Sequence, residues 1–186
     1  FNAEPQQVGI CSMSKSILVV AAHADDEVLG CGGTISRHVA EGDAVHVIFM
    51  ADGVGSRGNE HSADLERRNQ ARDTALKILG VTEWHALDFS DNRMDSVPLL
   101  DVVQALEPIV RKIQPERVYT HHHGDLNVDH RRTCEATLTA CRPQPGMPVL
   151  RILFVSPWRG WPPSRPRCPF PVGLRPRHPL TLQNIS

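Results

Sequence analysis

Short apolar runs alternate with longer amphipathic stretches along most of the chain. Residues 17–22 and 44–50 are apolar at nearly every position, which is typical of strands buried on both faces of a sheet. Residues 99–113 place apolar side chains at helical spacing, and Pro108 lies inside this stretch as a position where the helix would kink or split. The other predicted elements are strands at 83–87, 117–120 and 151–156 and helices at 28–40, 62–79 and 131–141.

This order of strands and helices predicts the fold class. Alternation favours a Rossmann-like, three-layer α/β/α fold, in which a mostly parallel sheet carries helices on both faces. A chain of 186 residues, 40% of them hydrophobic, is long enough for one such domain and its core. In a sheet of this kind, the ligand site forms in loops at the carboxyl ends of the strands.

The formal net charge of −1 is the sum of two unlike parts of the chain. Residues 1–141 hold all 21 acidic residues and 13 of the 20 basic ones, a net charge of −8. Residues 142–186 contain seven arginines, no acidic residue and 11 of the 15 prolines. We therefore expect a domain at 1–153 and a Pro/Arg-rich segment at 154–186, and the acidic domain gives no reason to expect a nucleic-acid partner.

Three interpretations of the Pro/Arg-rich segment stay open. It is a disordered tail, a proline-rich ligand for a partner protein, since Pro166 and Pro169 fit P-x-x-P, or the translation of an out-of-frame stretch of the gene. In the last case, the C-terminal part of the α/β fold is truncated or aberrant. We also leave open whether such a chain is active.

The cysteines and the apolar runs indicate a cytoplasmic protein. Five cysteines, an odd number without a C-x-x-C pair, do not suggest a disulfide framework and fit a reducing compartment. No apolar run approaches the roughly 20 residues that a membrane-spanning helix requires. We expect no transmembrane segment, and the sequence leaves the formation of a homo-oligomer open.

A cluster of ionisable residues follows the first predicted strand, at residues 23–27 (HADDE). Such side chains are costly to bury without a partner, so we expect a binding site there. His23 and Asp26 can face one ion across a strand-to-helix turn, and an imidazole and a carboxylate suit Zn²⁺. Acidic residues in a first helical turn stabilise the helix, which would account for Asp25 and Glu27 but not for His23.

A second polar loop follows the strand predicted at 117–120. Its ionisable residues are His121, His122, His123, Asp125, Asp129 and His130. Loops after two parallel strands meet at one edge of the sheet, so a histidine from this loop would complete a His-Asp-His set. Three protein ligands leave positions for water and substrate, as in a catalytic zinc site. Asp25 would then lie beside the ion and could take a proton from water.

Several ordered motifs resemble the LmbE-like (PIG-L) family of zinc-dependent N-deacetylases, whose opening motif is A-H-P-D-D-E. That motif stands here at residues 22–27 (AHADDE), and residues 28–33 (VLGCGG) continue it. The similarity runs from about residue 17 to residue 147. It includes residues 52–57 (DGVGSR), 91–95 (DNRMD) and 124–130 (GDLNVDH).

The resemblance implies the roles of individual site residues. The implied zinc ligands are His23, Asp26 and His130. Asp25 would be the general base, and Asp129 a carboxylate that orients a neighbouring group. The predicted substrate contacts are Arg57, Asp91 and His123, although Arg57 equally fits a solvated loop cation and Asp91 a turn former.

Two positions depart from the family's pattern. Ala24 replaces a proline, which removes stiffness from the turn but no ligand. Asn127 stands where relatives often have a histidine credited with stabilising or protonating the tetrahedral intermediate. Asn127 can donate a hydrogen bond but cannot transfer a proton, so the acid would be protonated Asp25, His122 or His123.

Together these features predict a zinc-dependent hydrolase that removes an N-acetyl group from an amino sugar or an N-acetylglucosaminyl conjugate. Two alternatives stay open. One is a metal-dependent hydrolase of another bond, such as a phosphoester, which commonly uses two ions. The other is a truncated, inactive zinc-binding remnant of a deacetylase. A dinucleotide site is not expected, because residues 30–33 do not form G-x-G-x-x-G and follow an acidic motif.

Overall fold

The computed structural model describes residues 14–53, 55, 62–147, 149–155 and 183–184 of the chain. Its strands are β1 (Ser16–Ala21), β2 (Ala44–Ala51), β3 (Glu83–Phe89), β4 (Arg117–His121), β5 (Arg151–Val155) and β6 (Gln183–Asn184). Its helices are α1 (Asp26–Ala40), α2 (Ser62–Leu79), α3 (Leu99–Ile113) and α4 (Val128–Ala140), with a 3₁₀ turn at Met94–Ser96.

The six strands form a sheet in the order β3-β2-β1-β4-β5-β6, and every pairing between neighbouring strands is parallel. The chain moves outward from β1 to β3 and then crosses back to place β4 on the other side of β1. Ile17 pairs with Arg117 and Val20 with Thr120. The loops that follow β1 and β4 therefore begin side by side, at the point where the strand order reverses and ligands bind in such sheets.

Two apolar layers enclose the sheet. Leu18 and Val20 of β1 point to one face, into a core shared with α3 and α4. Ile17 and Val19 point to the other face, where Ile35 of α1 packs against them. Successive strand residues alternate between faces, so one apolar run serves both cores. The predicted three-layer α/β fold with a mostly parallel sheet is confirmed.

The helices that carry the polar motifs begin earlier than the sequence predicts. α1 begins at Asp26 rather than at residue 28, and α4 begins at Val128 rather than at residue 131. Polar side chains occupy both first turns and interrupt the apolar pattern from which the boundaries were predicted. The extensions place Asp26, Asp129 and His130 on helices, which hold their side chains more firmly than a loop would.

Pro108 does not split α3, which runs without a break from Leu99 to Ile113. The splitting that the sequence left open is therefore wrong. Pro108 and Gln104, whose carbonyl would lose its helical partner, are both exposed. Water can hydrogen-bond that carbonyl, so the helix tolerates the proline there.

Some predictions concern residues outside the described part of the chain. Arg57 and most of the Pro/Arg-rich segment lie there, so the proposed roles of both stay predictions.

The first residues of the Pro/Arg-rich segment are described, because β5 extends to Val155 and pairs with β4. Among the described residues, no helix combines the length and apolar character needed to cross a lipid bilayer.

Candidate metal and catalytic site

The three predicted ligands come together at the carboxyl edge of the sheet. His23 lies between β1 and α1, Asp26 begins α1, and His130 lies in the first turn of α4. All three are buried, and one potential ligand atom from each lies within 4.8 Å of the others. The cluster therefore joins residues that are about a hundred positions apart in the chain.

The distances within this cluster fit one small cation. Oδ2 of Asp26 lies 3.4 Å from Nδ1 of His23 and 3.3 Å from Nε2 of His130. Ligand atoms in a tetrahedral zinc site, at bonds of about 2.0–2.2 Å, lie roughly 3.3 Å apart. The same oxygen of Asp26 accepts the backbone N–H of His23 at 2.9 Å, which fixes the carboxylate. Two imidazoles and one carboxylate are donors that Zn²⁺ prefers.

A buried carboxylate stands behind His23. Nε2 of His23 lies 3.0 Å from Oδ2 of Asp129 and 3.2 Å from Oδ1 of Asp91. Asp129 is fully buried and also accepts the backbone N–H groups of Asn92, at 2.6 Å, and Met94, at 3.1 Å. With its Nε2 proton held by these acceptors, neutral His23 presents the lone pair of Nδ1 to the cluster.

The electrostatics of the cluster favour a positive charge. Burial alone would lower the pKa of His23, but hydrogen bonds to Asp129 and Asp26 outweigh it and raise the pKa to about 10. Burial likewise opposes protonation of His130, but Asp125 and Asp26 raise its pKa to about 9. The two imidazoles hold the pKa of Asp26 well below its usual range despite burial. Such a site can accept a cation in exchange for protons.

Asp25 lies beside this cluster and faces solvent. Its side chain is 55% exposed, against 9% for Asp26. Burial of part of the group and the neighbouring Asp26 raise the pKa of Asp25, while Arg68, whose Nη2 lies 3.4 Å from Oδ2, opposes the rise. A carboxylate in this place can exchange a proton with a water molecule while Asp26 stays engaged.

Glu27 supports the turn that presents Asp25, a role that the sequence did not assign. Its side chain is almost completely buried, and Oε2 accepts the backbone N–H of Asp25 at 3.0 Å. Burial raises the pKa of Glu27 to about 7. The only indication in the sequence was its place at the end of the acidic motif.

His121 lies beside the cluster, with Nε2 3.5 Å from Oδ2 of Asp26, but cannot coordinate through that nitrogen. That atom accepts the backbone N–H of Ala22 at 2.9 Å, which ties the loop after β1 to the end of β4. The ring of His121 stacks on that of His130, with centroids 4.0 Å apart. Burial lowers the pKa of His121 to about 4, so this imidazole is neutral at pH 7.

The remaining predicted residues lie around the cluster. His123 is exposed, and its ring centroid lies 4.2 Å from that of His122; both rings lie nearly perpendicular to the ring of Phe154. Oδ1 of Asn127 accepts the backbone N–H groups of Asp129 and His130, at 2.8 Å and 3.4 Å, and so caps α4. The catalytic role of Asn127 and the substrate contact of His123 stay predictions.

Comparison with known proteins identifies the family to which this chain belongs. The family model described as GlcNAc-PI de-N-acetylase (PIG-L) matches residues 18–141, which include every residue of the cluster. The chain belongs to this family. The resemblance in the sequence motifs is thereby confirmed, and both the family model and a relative from Escherichia coli are named for deacetylation.

Two proteins named as deacetylases are similar to this chain, one compared by sequence and the other by structure. An uncharacterised deacetylase of Escherichia coli, YaiS, is 36% identical over 136 residues, which cover 70% of each chain. The solved structure of N,N'-diacetylchitobiose deacetylase from Pyrococcus horikoshii superposes with a TM-score of 0.61 at 28% identity. That match covers 69% of this chain and 50% of the archaeal one.

A further relative has a different reaction in its name. The 4-oxalmesaconate hydratase of Pseudomonas putida is 33% identical over 130 residues, which cover 62% of this chain and 47% of the hydratase. The reaction of an individual PIG-L member must therefore be argued from its own site.

Proposed function

We propose that this PIG-L family member is a zinc-dependent deacetylase that removes an acetyl group from a small amino sugar or an N-acetylglucosaminyl conjugate in the cytoplasm. The observation that carries this proposal is the buried set of His23, Asp26 and His130 with the exposed carboxylate of Asp25 beside it. Relatives named for deacetylation of diacetylchitobiose and of N-acetyl-α-D-glucosaminyl L-malate support the substrate class.

The donors fit zinc in number as well as in kind. His23 would bind through Nδ1, His130 through Nε2 and Asp26 through Oδ2. His121 is excluded through Nε2 by the Ala22 N–H group, so three protein ligands leave room for water and substrate. When bound, zinc polarises the acetamide carbonyl and lowers the pKa of a coordinated water.

The residues around the ligands move the protons. Asp25 accepts a proton from the attacking water while the water oxygen forms a bond to the acetamide carbon. The C–N bond then breaks, and Asp25 returns the proton to the departing nitrogen, which yields acetate and a free amine. Asn127 cannot supply this proton, and its amide oxygen already caps α4. Protonated Asp25, which lies beside the proposed ligands and already holds the proton of the attacking water, is the acid in this mechanism.

The walls of the substrate site would come from the surrounding loops. We propose that Arg57, Asp91 and His123 contact the sugar. Asp91 is buried beside His23, so a sugar hydroxyl could reach it only next to the cluster itself. This position suits a hydroxyl adjacent to the acetamido group.

Acetate release tests the proposal. Zinc-loaded protein should release acetate from a panel of N-acetylglucosamine derivatives, chelation should abolish the release, and added zinc should restore it. Asp25→Asn should retain bound zinc but lose at least about 100-fold in kcat, since general acid–base catalysis contributes 10²–10⁴-fold. Asp88→Asn, which changes an exposed carboxylate on β3, is the matched control.

Other reactions would be visible in the same experiment. Hydrolysis of a phosphoester with two bound ions per chain would identify a phosphoesterase instead. Full turnover by zinc-loaded Asp25→Asn would remove Asp25 from the mechanism. Zinc binding without acetate release from any acetylated sugar would identify an inactive remnant.

A further inference from the structure

We propose that Asp125 is a positioning residue that holds both the start of α4 and the imidazole of His130, and thereby sets the affinity of the site for zinc. This inference rests on the proposed zinc site but concerns a residue outside the ligand set. The two carboxylate oxygens of Asp125 have different partners.

The first oxygen of Asp125 organises the loop before α4. Oδ1 accepts the backbone N–H of Asn127 at 3.0 Å, which closes an Asx turn. The side chain of Asn127 in turn caps the helix that carries His130. Arg131 secures the same loop, because its Nη1 donates to the carbonyl oxygens of Asp125 at 2.9 Å and of Leu126 at 2.6 Å.

The second oxygen of Asp125 faces the metal ligand. Oδ2 lies 3.1 Å from Nδ1 of His130, and only 4% of the Asp125 side chain and 6% of the His130 side chain are exposed. A carboxylate next to Nδ1 favours the tautomer with its proton on that nitrogen. The lone pair of Nε2 then points at Asp26, where the ion would lie.

Asp125 is not itself a metal ligand. One atom each from His121, Asp125 and His130 lies within 4.8 Å of the others, which resembles a second set of three donors. However, the Ala22 N–H group occupies Nε2 of neutral His121, so the ring carries its proton on Nδ1 and neither nitrogen can coordinate. The two remaining donors are too few for a site.

The arrangement around His130 matches that around His23. Asp129 lies behind His23 as Asp125 lies behind His130, so each histidine ligand has a buried carboxylate at its other nitrogen. The ring of His121 also stacks on one face of the His130 ring and limits rotation of that imidazole. Such outer partners orient the ligand and raise its basicity.

Substitution of Asp125 separates these contributions. Asp125→Asn keeps an oxygen for the Asn127 N–H group but removes the carboxylate beside His130, and Asp125→Ser keeps a shorter acceptor for the turn. We expect zinc affinity, measured by competition with a chromophoric chelator at about pH 10, where protons compete less for the imidazole, to fall by about 10–100-fold in both variants. Metal-free Asp125→Asn should melt at a lower temperature than the wild type, because protonated His130 loses its carboxylate neighbour, but circular dichroism should show that the variant stays folded. Asp88→Asn should bind zinc like the wild type.

The outcomes distinguish this inference from the proposed function. Wild-type zinc affinity in folded Asp125→Asn and Asp125→Ser would overturn the inference alone. Binding of two zinc ions by the wild type and one by Asp125→Asn would also overturn it, because Asp125 would then be a ligand. A wild-type chain that binds no zinc would overturn the proposed function as well.

Discussion

The partners of single atoms decide which groups at the carboxyl edge of the sheet can hold a cation. His121 and His130 stack on each other, yet a backbone N–H group occupies Nε2 of His121, while Nε2 of His130 faces Asp26. Asp25 and Asp26 are neighbours in sequence, yet one side chain is exposed and the other is buried in the cluster. Chemical type alone therefore does not assign a role here.

Zinc binding should release protons, because two of the proposed ligands hold them in the metal-free protein. The pKa of His23 is about 10 and that of His130 is about 9, so both are protonated at pH 7. Both must be neutral to coordinate, so protons compete with zinc and the affinity should rise as the pH increases towards 9. Calorimetric titrations at pH 7 in buffers of different ionisation enthalpy should give about two protons released per zinc.

A variant that lacks one proposed ligand tests the origin of the released protons in the same titrations. His23→Ala should bind zinc more weakly and release about one proton fewer per ion. A release near zero in the wild type would mean that His23 and His130 are not the groups that coordinate.

At the scale of elements, the beginnings of two helices build the site. The first turn of α1 carries Asp26, and the first turn of α4 carries Asp129 and His130. The side chain of Asn127 caps the N-terminus of α4. Asn127 is the residue that replaces a histidine of the family motif. This exchange gives the helix a good N-cap in place of a proton donor.

Loss of this cap should destabilise the fold. Asn127→Ala leaves the backbone N–H groups of Asp129 and His130 without their side-chain acceptor, and we expect unfolding to become easier by about 1 kcal/mol. Asn127→Asp keeps an acceptor and should remain close to the wild type. Urea unfolding of the metal-free proteins measures the difference. Equal stability of all three would contradict the capping role.

The turn after α2 depends on a glycine. Gly80 has a φ of +75°, and a Cβ atom there would lie 2.8 Å from Cγ1 of Val39. Gly80→Ala should therefore lose more than about 1 kcal/mol of stability. Gly33→Ala is the matched control, because Gly33 lies in α1 with open space around it and should gain about 0.5–1 kcal/mol. Thermal unfolding of both variants tests the contrast.

At the scale of the whole molecule, the site depends on the crossover that places β4 beside β1. The ligands come from loops that no local structure connects, so the folded sheet must assemble before an ion can be held. The aligned part of the chain spans 70% of YaiS and half of the Pyrococcus horikoshii deacetylase.

An ion that binds only the folded chain must in turn stabilise the fold. Zinc should raise the melting temperature of the whole chain. At a zinc concentration about 100 times the Kd, linkage contributes about 2.7 kcal/mol. For a protein of this size, that corresponds to a shift of roughly 5–10 °C. Magnesium at the same concentration should have little effect, because it prefers oxygen ligands. His130→Ala should abolish the zinc shift, and an unchanged shift in this variant would exclude His130 as a ligand.

The sequence predicts much of the fold because burial leaves a direct pattern. The apolar runs at 17–22 and 44–50 match strands buried on both faces, and their alternation with helices predicts the parallel sheet. The starts of α2 and α3 were predicted correctly, whereas those of α1 and α4 were predicted two and three residues late, because their polar first turns do not show the apolar periodicity. α3 continues through Pro108 because Pro108 and Gln104 lie on its exposed face, where water can hydrogen-bond the freed carbonyl.

The sequence by itself determined the fold class, the family and the chemical types present at the site, since these depend on local pattern and on ordered motifs. Only the tertiary structure decided which atoms meet. His121, Asp125 and His130 look equivalent as potential ligands along one loop, but the Ala22 N–H group, an Asx turn and a stacked ring give each a different orientation. Those contacts join residues from different loops and strands, and their directions follow from the sheet that brings β1 and β4 together.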